Sequence, residues 1–185
     1  LNNAGILAVN GGAISGNSAN RAGGGIEDRA GTLVITTLTL HDDEMNNNLA
    51  TGGGNGPGNG GGLHVSQSGD ISIAGGTVSG NSAALEGGGL WNGGGTMTID
   101  GTTIDGNTAS GDATDDGGGG IFNNGGTLSI GGFLPVTIVN NVADGALGNG
   151  GGIMLFGGSA QILDGTIRGN IASRAGGGIE NTSGS

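Results

Sequence analysis

Aliphatic residues recur along the chain at fixed positions between glycines. The most regular motif is three consecutive glycines followed by one aliphatic residue, which we call the anchor. The spacings between successive anchors are 37, 27, 31, 32 and 26 residues, a period typical of solenoid proteins. The anchors are Ile26, Leu63, Leu90, Ile121, Ile153 and Ile179.

Two further motifs keep phase with the anchor. The first is a glycine followed by alternating polar and aliphatic residues, a pattern that predicts a strand with one buried face. The second is a six-residue motif, Φ-x-(Gly/Asn)-Asn-x-Ala, in which Φ is an aliphatic residue or Met and x is variable. Its invariant asparagines are Asn17, Asn48, Asn81, Asn107, Asn141 and Asn170.

Three short strands per period, separated by turns, predict an all-β fold. We expect one domain over residues 1–185, a right-handed parallel β-helix (a β-solenoid) of about six three-strand coils. A single coil cannot bury its own apolar face, so stacking has to supply both the core and the hydrogen bonds. Right-handedness is expected because parallel crossover connections are almost always right-handed.

The invariant asparagines are predicted to form a structural ladder at one corner of the coil. Asn tolerates a left-handed backbone at a turn, and its amide can both donate to and accept from the Asn of the next coil. The insertions in the longer repeats are expected at one other corner, over residues 51–60, 110–116 and 144–149. We interpret them as tolerated loops, and a binding face on that edge is the alternative.

Composition excludes several classes of protein. The chain has 185 residues, of which 50 are Gly without the three-residue period of collagen. The formal net charge is −11 and the only Lys or Arg residues are four arginines, so nucleic acid and anionic lipid are not expected partners. Cys is absent, and no apolar run is long enough to span a bilayer.

The two ends of the sequence resemble each other. Residues 17–27 and 170–180 match at nine of eleven positions, and neither end shows a capping element. End-to-end stacking of identical chains is therefore the leading prediction for a partner. A five-coil super-repeat in a longer parent protein, or simple duplication, would give the same similarity. Because the chain starts at Leu1, we expect a processed product or an excerpt.

The residue after each anchor is expected to point outward and to form a ligand or partner stripe. An exposed apolar stripe beside glycines could hold a sugar ring, a neighbouring fibre or another domain. Stacked side chains that simply stabilise the sheet are the alternative. The stripe consists of His64, Trp91, Phe122 and Met154.

Candidate chemistry is sparse. Asp112, Asp115 and Asp116 place three carboxylates in one insertion, and oxygen ligands of this kind suit Ca²⁺, although a solvated loop has the same composition. Residues 42–44 form a second acidic cluster. No other cofactor is expected.

An enzyme is not predicted. Polysaccharide-degrading β-helix enzymes need a Lys or Arg base or two facing carboxylates. Lys is missing here, and nothing in the sequence holds Asp100 and Asp105 together. Such an enzyme stays an alternative.

Ice binding is the remaining alternative, because it requires a flat and regular array of outward threonines. One column combines Thr77, Thr103, Thr137 and Thr166, and the preceding strands contribute Thr32, Thr96, Thr98 and Thr127. The companion positions of both columns are irregular.

The motifs at residues 123–130 (NNGGTLSI), 103–109 (TIDGNTA) and 11–14 (GGAI) together resemble the repeats of bacterial polymorphic outer-membrane proteins and related secreted right-handed β-helix repeat proteins. The resemblance covers essentially the whole chain. It implies an extracellular or bacterial cell-surface location and a role in display or adhesion, and it carries over no catalytic residue.

Overall fold

A computed structural model describes residues 1–3, 5–29, 32–36 and 44–185, and gives only the backbone of residues 2, 32–36, 44 and 46. The described part is all β, and its strands pair in parallel in four stacked sheets. This arrangement is consistent with the predicted β-solenoid. Among the described residues there is no helix of the length and hydrophobicity that crossing a membrane requires.

The chain visits the four sheets in a repeating order, and the strands are numbered along the chain. The anchor sheet contains β1 (Asn2–Asn3), β5 (Ile26–Arg29), β9 (Leu63–Ser66), β13 (Leu90–Asn92), β17 (Ile121–Asn123), β21 (Ile153–Leu155) and β25 (Ile179–Asn181). The second sheet contains β2 (Ile6–Asn10), β6 (Thr32–Thr36), β10 (Asp70–Ala74), β14 (Thr96–Asp100), β18 (Thr127–Ile130) and β22 (Ser159–Ile162). The third sheet contains β3 (Ala13–Ser15), β7 (Glu44–Asn46), β11 (Thr77–Ser79), β15 (Thr103–Asp105), β19 (Val136–Val139) and β23 (Gly165–Arg168). The fourth sheet contains β4 (Ser18–Ala19), β8 (Leu49–Ala50), β12 (Ser82–Ala83), β16 (Thr108–Ala109), β20 (Val142–Ala143) and β24 (Ile171–Ala172).

The fourth sheet corrects the expectation of three strands per repeat. Its two-residue strands immediately follow the conserved asparagines, so each Asn stands at the corner between the third and fourth sheets. Two residues are too few to show the alternation by which a strand is recognised in a sequence. They pair in register from one repeat to the next, as Ala83 does with Ala50 and Ala109.

The core is filled by aliphatic side chains that stack in columns. Ile71 lies opposite Met97 and Ile73 opposite Ile99, so the inward positions of neighbouring strands coincide. Outward positions between them, such as Thr98, are exposed, as the sequence alternation predicts. The buried cluster comprises Ile26, Met45, Leu63, Val65, Ile71, Ile73, Val78, Leu90, Met97, Ile99, Ile104, Ile121, Leu128, Ile130, Val136, Ile138, Ile153 and Leu155.

The asparagines that recur in each repeat form a continuous hydrogen-bonded ladder. The amide Nδ2 of Asn81 and its backbone N–H both donate to Oδ1 of Asn107, at 2.9 and 3.0 Å. The same pair of bonds runs from Asn107 to Asn141, at 2.9 and 3.0 Å. Equivalent pairs connect Asn17 to Asn48, Asn48 to Asn81 and Asn141 to Asn170.

Each inner amide also donates backwards to a main-chain carbonyl. Nδ2 of Asn107 bonds to the carbonyl of Val78 at 2.9 Å, and Nδ2 of Asn141 to that of Ile104 at 3.0 Å. A buried amide therefore finds a partner for both of its N–H groups and for its oxygen, which removes the cost of burying it.

The left-handed residue of this corner is not the ladder asparagine itself, contrary to our expectation. The positive φ belongs to the residue before it, which is Asn47, Asn140 or a glycine. Asn and Gly are the residues that adopt this conformation at least cost, which explains why the motif alternates between the two there.

In the first five triplets, the middle glycine is required by close packing rather than by its backbone conformation. A Cβ atom on Gly88 would overlap the carbonyl oxygens of Thr108 and Gly119. A Cβ atom would likewise overlap carbonyl oxygens of the fourth sheet and of the neighbouring triplet at three further middle glycines, Gly61, Gly119 and Gly151. At this edge the anchor sheet and the fourth sheet lie backbone against backbone, with no side chain between them.

Insertions occur at two corners, whereas the sequence indicated one. Besides those before the glycine triplets, residues 131–135 connect β18 to β19, where two residues connect β14 to β15. Oδ1 of Asp100 accepts hydrogen bonds from the N–H groups of Gly132, Phe133 and Leu134, each at 3.0 Å. These bonds lower the pKa of Asp100 and fix a loop in which Phe133 is 96% exposed.

Replacing Asn107 by Ala should lower the free energy of unfolding by about 3 kcal/mol or more, because it leaves buried donors on Asn81 and the carbonyl of Val78 without partners. Asn107→Asp should cost more, since a carboxylate oxygen would face the carbonyl of Val78. Urea denaturation followed by circular dichroism measures both changes. The control is Asn124→Ala at an exposed position, and an equal loss in that variant would contradict the role of the ladder.

Gly88→Ala should also lower the free energy of unfolding by about 3 kcal/mol or more, because the added methyl group has to displace two backbone segments. Gly132→Ala is the matched control, since no atom lies within 4 Å of the added Cβ. The same denaturation experiment should find the control within about 0.5 kcal/mol of the parent chain. Similar stability of the two variants would show that the backbones of the anchor sheet and the fourth sheet can move apart to accommodate the methyl group.

Candidate functional site

The predicted stripe is a real column in the structure. Trp91 pairs with His64 on one side and with Phe122 on the other, and Phe122 pairs with Met154. The rings are stacked, with centroids of His64 and Trp91 4.3 Å apart and those of Trp91 and Phe122 6.3 Å apart. At the end of the row the ring of Phe156 tilts against that of Phe122 at 6.3 Å.

The stripe is buried, which corrects the expectation that it would be exposed. Trp91 is 8% exposed and His64 4%, while Phe122 and Met154 are fully buried. Trp91, Phe122 and Met154 form a second apolar cluster, separate from the main core. No ring face is left for a sugar to stack on, so the carbohydrate interpretation of this stripe loses the observation on which it rested.

The first glycine of each triplet explains this burial. It has a positive φ, +65° at Gly87 and +64° at Gly118, so the chain turns back over the residue that follows the anchor. A Cβ atom on Gly87 would lie 2.9 Å from Cβ of Trp91. The turn therefore covers the stripe, and only a residue without a side chain leaves room for the rings beneath it.

A partly buried carboxyl group adjoins the stripe. Oε2 of Glu86 accepts hydrogen bonds from Nε1 of Trp91 and from Nδ2 of Asn59, both at 2.8 Å. Burial raises the pKa of Glu86 to about 7, and the negative charges of Asp116 and Asp115 add to this. Glu86 was not among the predicted site residues, although it is the only charged residue at the position four before an anchor.

His64 at the other side of Trp91 is shifted in the opposite way. Burial lowers its pKa to about 4, and the positive charge of Arg21 contributes in the same direction. Its Nδ1 atom is buried and has no hydrogen-bond partner among the described residues. Arg21 itself forms an ion pair with Glu27, the residue that precedes His64 in the same column.

The carboxylates proposed for Ca²⁺ do not converge. Oδ1 of Asp112 accepts from the N–H of Ala146 at 2.7 Å, and Oδ2 of Asp116 accepts from the N–H of Ala113 at 2.9 Å. Asp115 points to solvent. Within the described residues no group of three acidic or histidine side chains could hold a metal ion. Of the second acidic cluster, Asp42 and Asp43 lie outside the described residues.

The two carboxylates considered for hydrolysis are engaged in local structure. Asp100 organises the loop at 131–135, and Oδ1 of Asp105 accepts from Nδ2 of Asn140 at 2.9 Å. They stand on β14 and β15, in different sheets.

Comparison with known proteins gives no relative. No protein-family model, no curated protein and no solved structure matches this chain.

Glu86 and His64 should change the free energy of unfolding in opposite directions as the pH rises. The raised pKa of Glu86 gives stability that is complete below about pH 4.5 and is lost as the pH rises through about 7. The lowered pKa of His64 gives stability that is complete above about pH 6.5 and is lost as the pH falls through about 4. Each contribution is on the order of 3 kcal/mol.

Single variants separate the two groups. Glu86→Gln, which keeps an acceptor for Trp91, should make stability fall steeply from pH 6.5 to pH 4. His64→Phe, which keeps the stack, should make stability rise as the pH falls from 7 to 4.5. Urea midpoints measured across this range test both slopes, and parallel pH profiles for the parent chain and both variants would contradict the assignment.

Proposed function

We propose that this chain is a non-enzymatic structural or adhesive β-solenoid of an extracellular or bacterial cell surface. It forms six right-handed coils and continues axially by end-to-end stacking with identical coils, as a fibre subunit or surface stalk. The resemblance to polymorphic outer-membrane protein repeats supports the location. A role in architecture is supported by the carboxylates of Asp100, Asp112 and Asp116, which accept hydrogen bonds from the protein's own main chain.

The open edges of the stack carry this proposal. Ile153 and Ile179 occupy successive rungs of the anchor column, yet Ile153 is fully buried and Ile179 is 41% exposed. At the other edge, Ile6 and Leu1 are also exposed. Both edges expose apolar side chains, a surface that a further coil would cover.

The strand counts constrain how identical chains can stack. In the described part, the anchor sheet has seven strands and each of the other sheets has six. If β2 of a second chain pairs with β22, then β1 of the second chain and β25 of the first compete for one position in the anchor sheet. β1 is the weaker competitor because it has two residues and pairs only through Asn2 and Asn3. Seamless stacking therefore requires displacement of β1. Ser185 has to leave β22 as well, because its carbonyl accepts a hydrogen bond from the N–H of Ala160.

Sedimentation and electron microscopy of the 185-residue chain test the proposal, with filaments that lengthen with concentration as the expected result. Ile179→Lys should abolish them, because stacking would bury the added charge. Ser183→Lys adds the same charge at an exposed position nearby and should leave assembly intact. Removal of residues 1–3 should promote assembly. A chain that stays monomeric at high concentration, with or without residues 1–3, contradicts end-to-end stacking.

A further inference from the structure

The outer face of the second sheet carries a regular block of hydroxyl groups. Thr96 pairs with Thr127, and Thr98 with Ser129, so the four hydroxyls form two columns on two adjacent strands. Ser72 extends one column on β10, and Ser159 extends the other on β22. Neighbouring strands lie about 4.8 Å apart and alternate residues about 6.6 Å apart, so the spacing is fixed by the backbone in both directions.

These hydroxyls are available to a ligand. Among the described residues, the only hydrogen bond within the block is a long one from Oγ of Ser159 to Oγ1 of Thr127, at 3.5 Å. The hydroxyls of Thr96, Thr98 and Ser129 bond to no other described group. No charged side chain stands between the hydroxyls of the block, and Asp70, Asp100 and Gln161 stand at its margins.

The threonine column of the third sheet is a poorer candidate. Its companion column is interrupted by Val139, which is buried, and by Asp105, which is bonded to Asn140. Thr103 and Thr137 are half-buried, but so are Ser72, Ser129 and Ser159 of the block, so burial does not separate the two faces. Because of this interrupted companion column, the more regular array of hydroxyls lies on the second sheet.

We propose that this hydroxyl face binds the ordered water of an ice surface. A hydroxyl is both donor and acceptor, so a rigid periodic set can join a hydrogen-bonded water lattice in either polarity. Charged groups would hold their own hydration shells, and the block has none. A sugar polymer would require an aromatic platform beside the hydroxyls. Trp91 and Phe122 are buried beneath the glycine turns, and the exposed Phe133 stands on the loop at 131–135, outside the block. The proposal is independent of axial stacking.

Partition of the 185-residue chain into slowly growing ice tests this, with an unrelated acidic globular protein as reference. We expect the chain to be enriched in the ice and to inhibit recrystallisation. Thr98→Tyr places a bulky ring in the middle of the block and should lower the enrichment about tenfold, a loss of roughly 1.4 kcal/mol. Thr103→Tyr, on the third sheet, should leave it unchanged. Circular dichroism checks that both variants are folded.

Three results would overturn the proposal. The first is exclusion of the parent chain from ice, as for the reference protein. The second is equal partition of Thr98→Tyr and the parent chain. The third is loss of binding in Thr103→Tyr instead of Thr98→Tyr. Crystalline cellulose also presents an ordered surface of hydroxyl groups, so a parallel sedimentation assay with microcrystalline cellulose tests whether the block binds a glucan instead of ice. Binding to cellulose without enrichment in ice would assign the face to a glucan instead and overturn the ice assignment.

Discussion

Hydrogen bonding between successive repeats is the constraint on which the rest of the structure depends. Strands of two to five residues cannot be stable alone, so each is held by the strands before and after it in the same sheet. At the corner between the third and fourth sheets the side chains of the asparagines continue this pairing. Oδ1 of Asn107 accepts from both nitrogens of Asn81, and its own amide donates onward to Asn141. The corner is thereby buried without loss of hydrogen bonds.

Glycine has two separate roles in the triplet, and both follow from the lack of space where the anchor sheet and the fourth sheet contact each other. The middle glycine, as at Gly88, lets two backbones touch across the edge. The first glycine, as at Gly87, turns left-handed over the aromatic column. A chain with few large side chains thus obtains a second apolar cluster outside its main core, with Trp91 and Phe122 stacked under the turns.

That second cluster also accounts for the perturbed ionisable groups. Glu86 and His64 are shifted in opposite directions because each is drawn out of water beside Trp91 and neither meets a charge of the opposite sign in the cluster. A buried carboxyl with a pKa near neutrality often indicates catalysis. Here Glu86 is drawn out of water beside Trp91 and against Asn59 of the preceding repeat's insertion, and this burial outweighs the two hydrogen bonds, which act to lower the pKa.

The sequence by itself determined what repeats. The anchors, the alternation around residues such as Met97 and Ile99, and the asparagine motif are local in sequence and recur in phase, so they predicted parallel strands, the core columns and the stacking of the asparagines. Only the tertiary structure decided which side of the anchor strand is covered. The exposure of Trp91 depends on the path of the glycine turn at residues 87–89, and no local pattern encodes that path. For the same reason the two-residue strands and the loop fixed by Asp100 were not foreseen, since both are set by contacts with a neighbouring repeat 26 to 37 residues away.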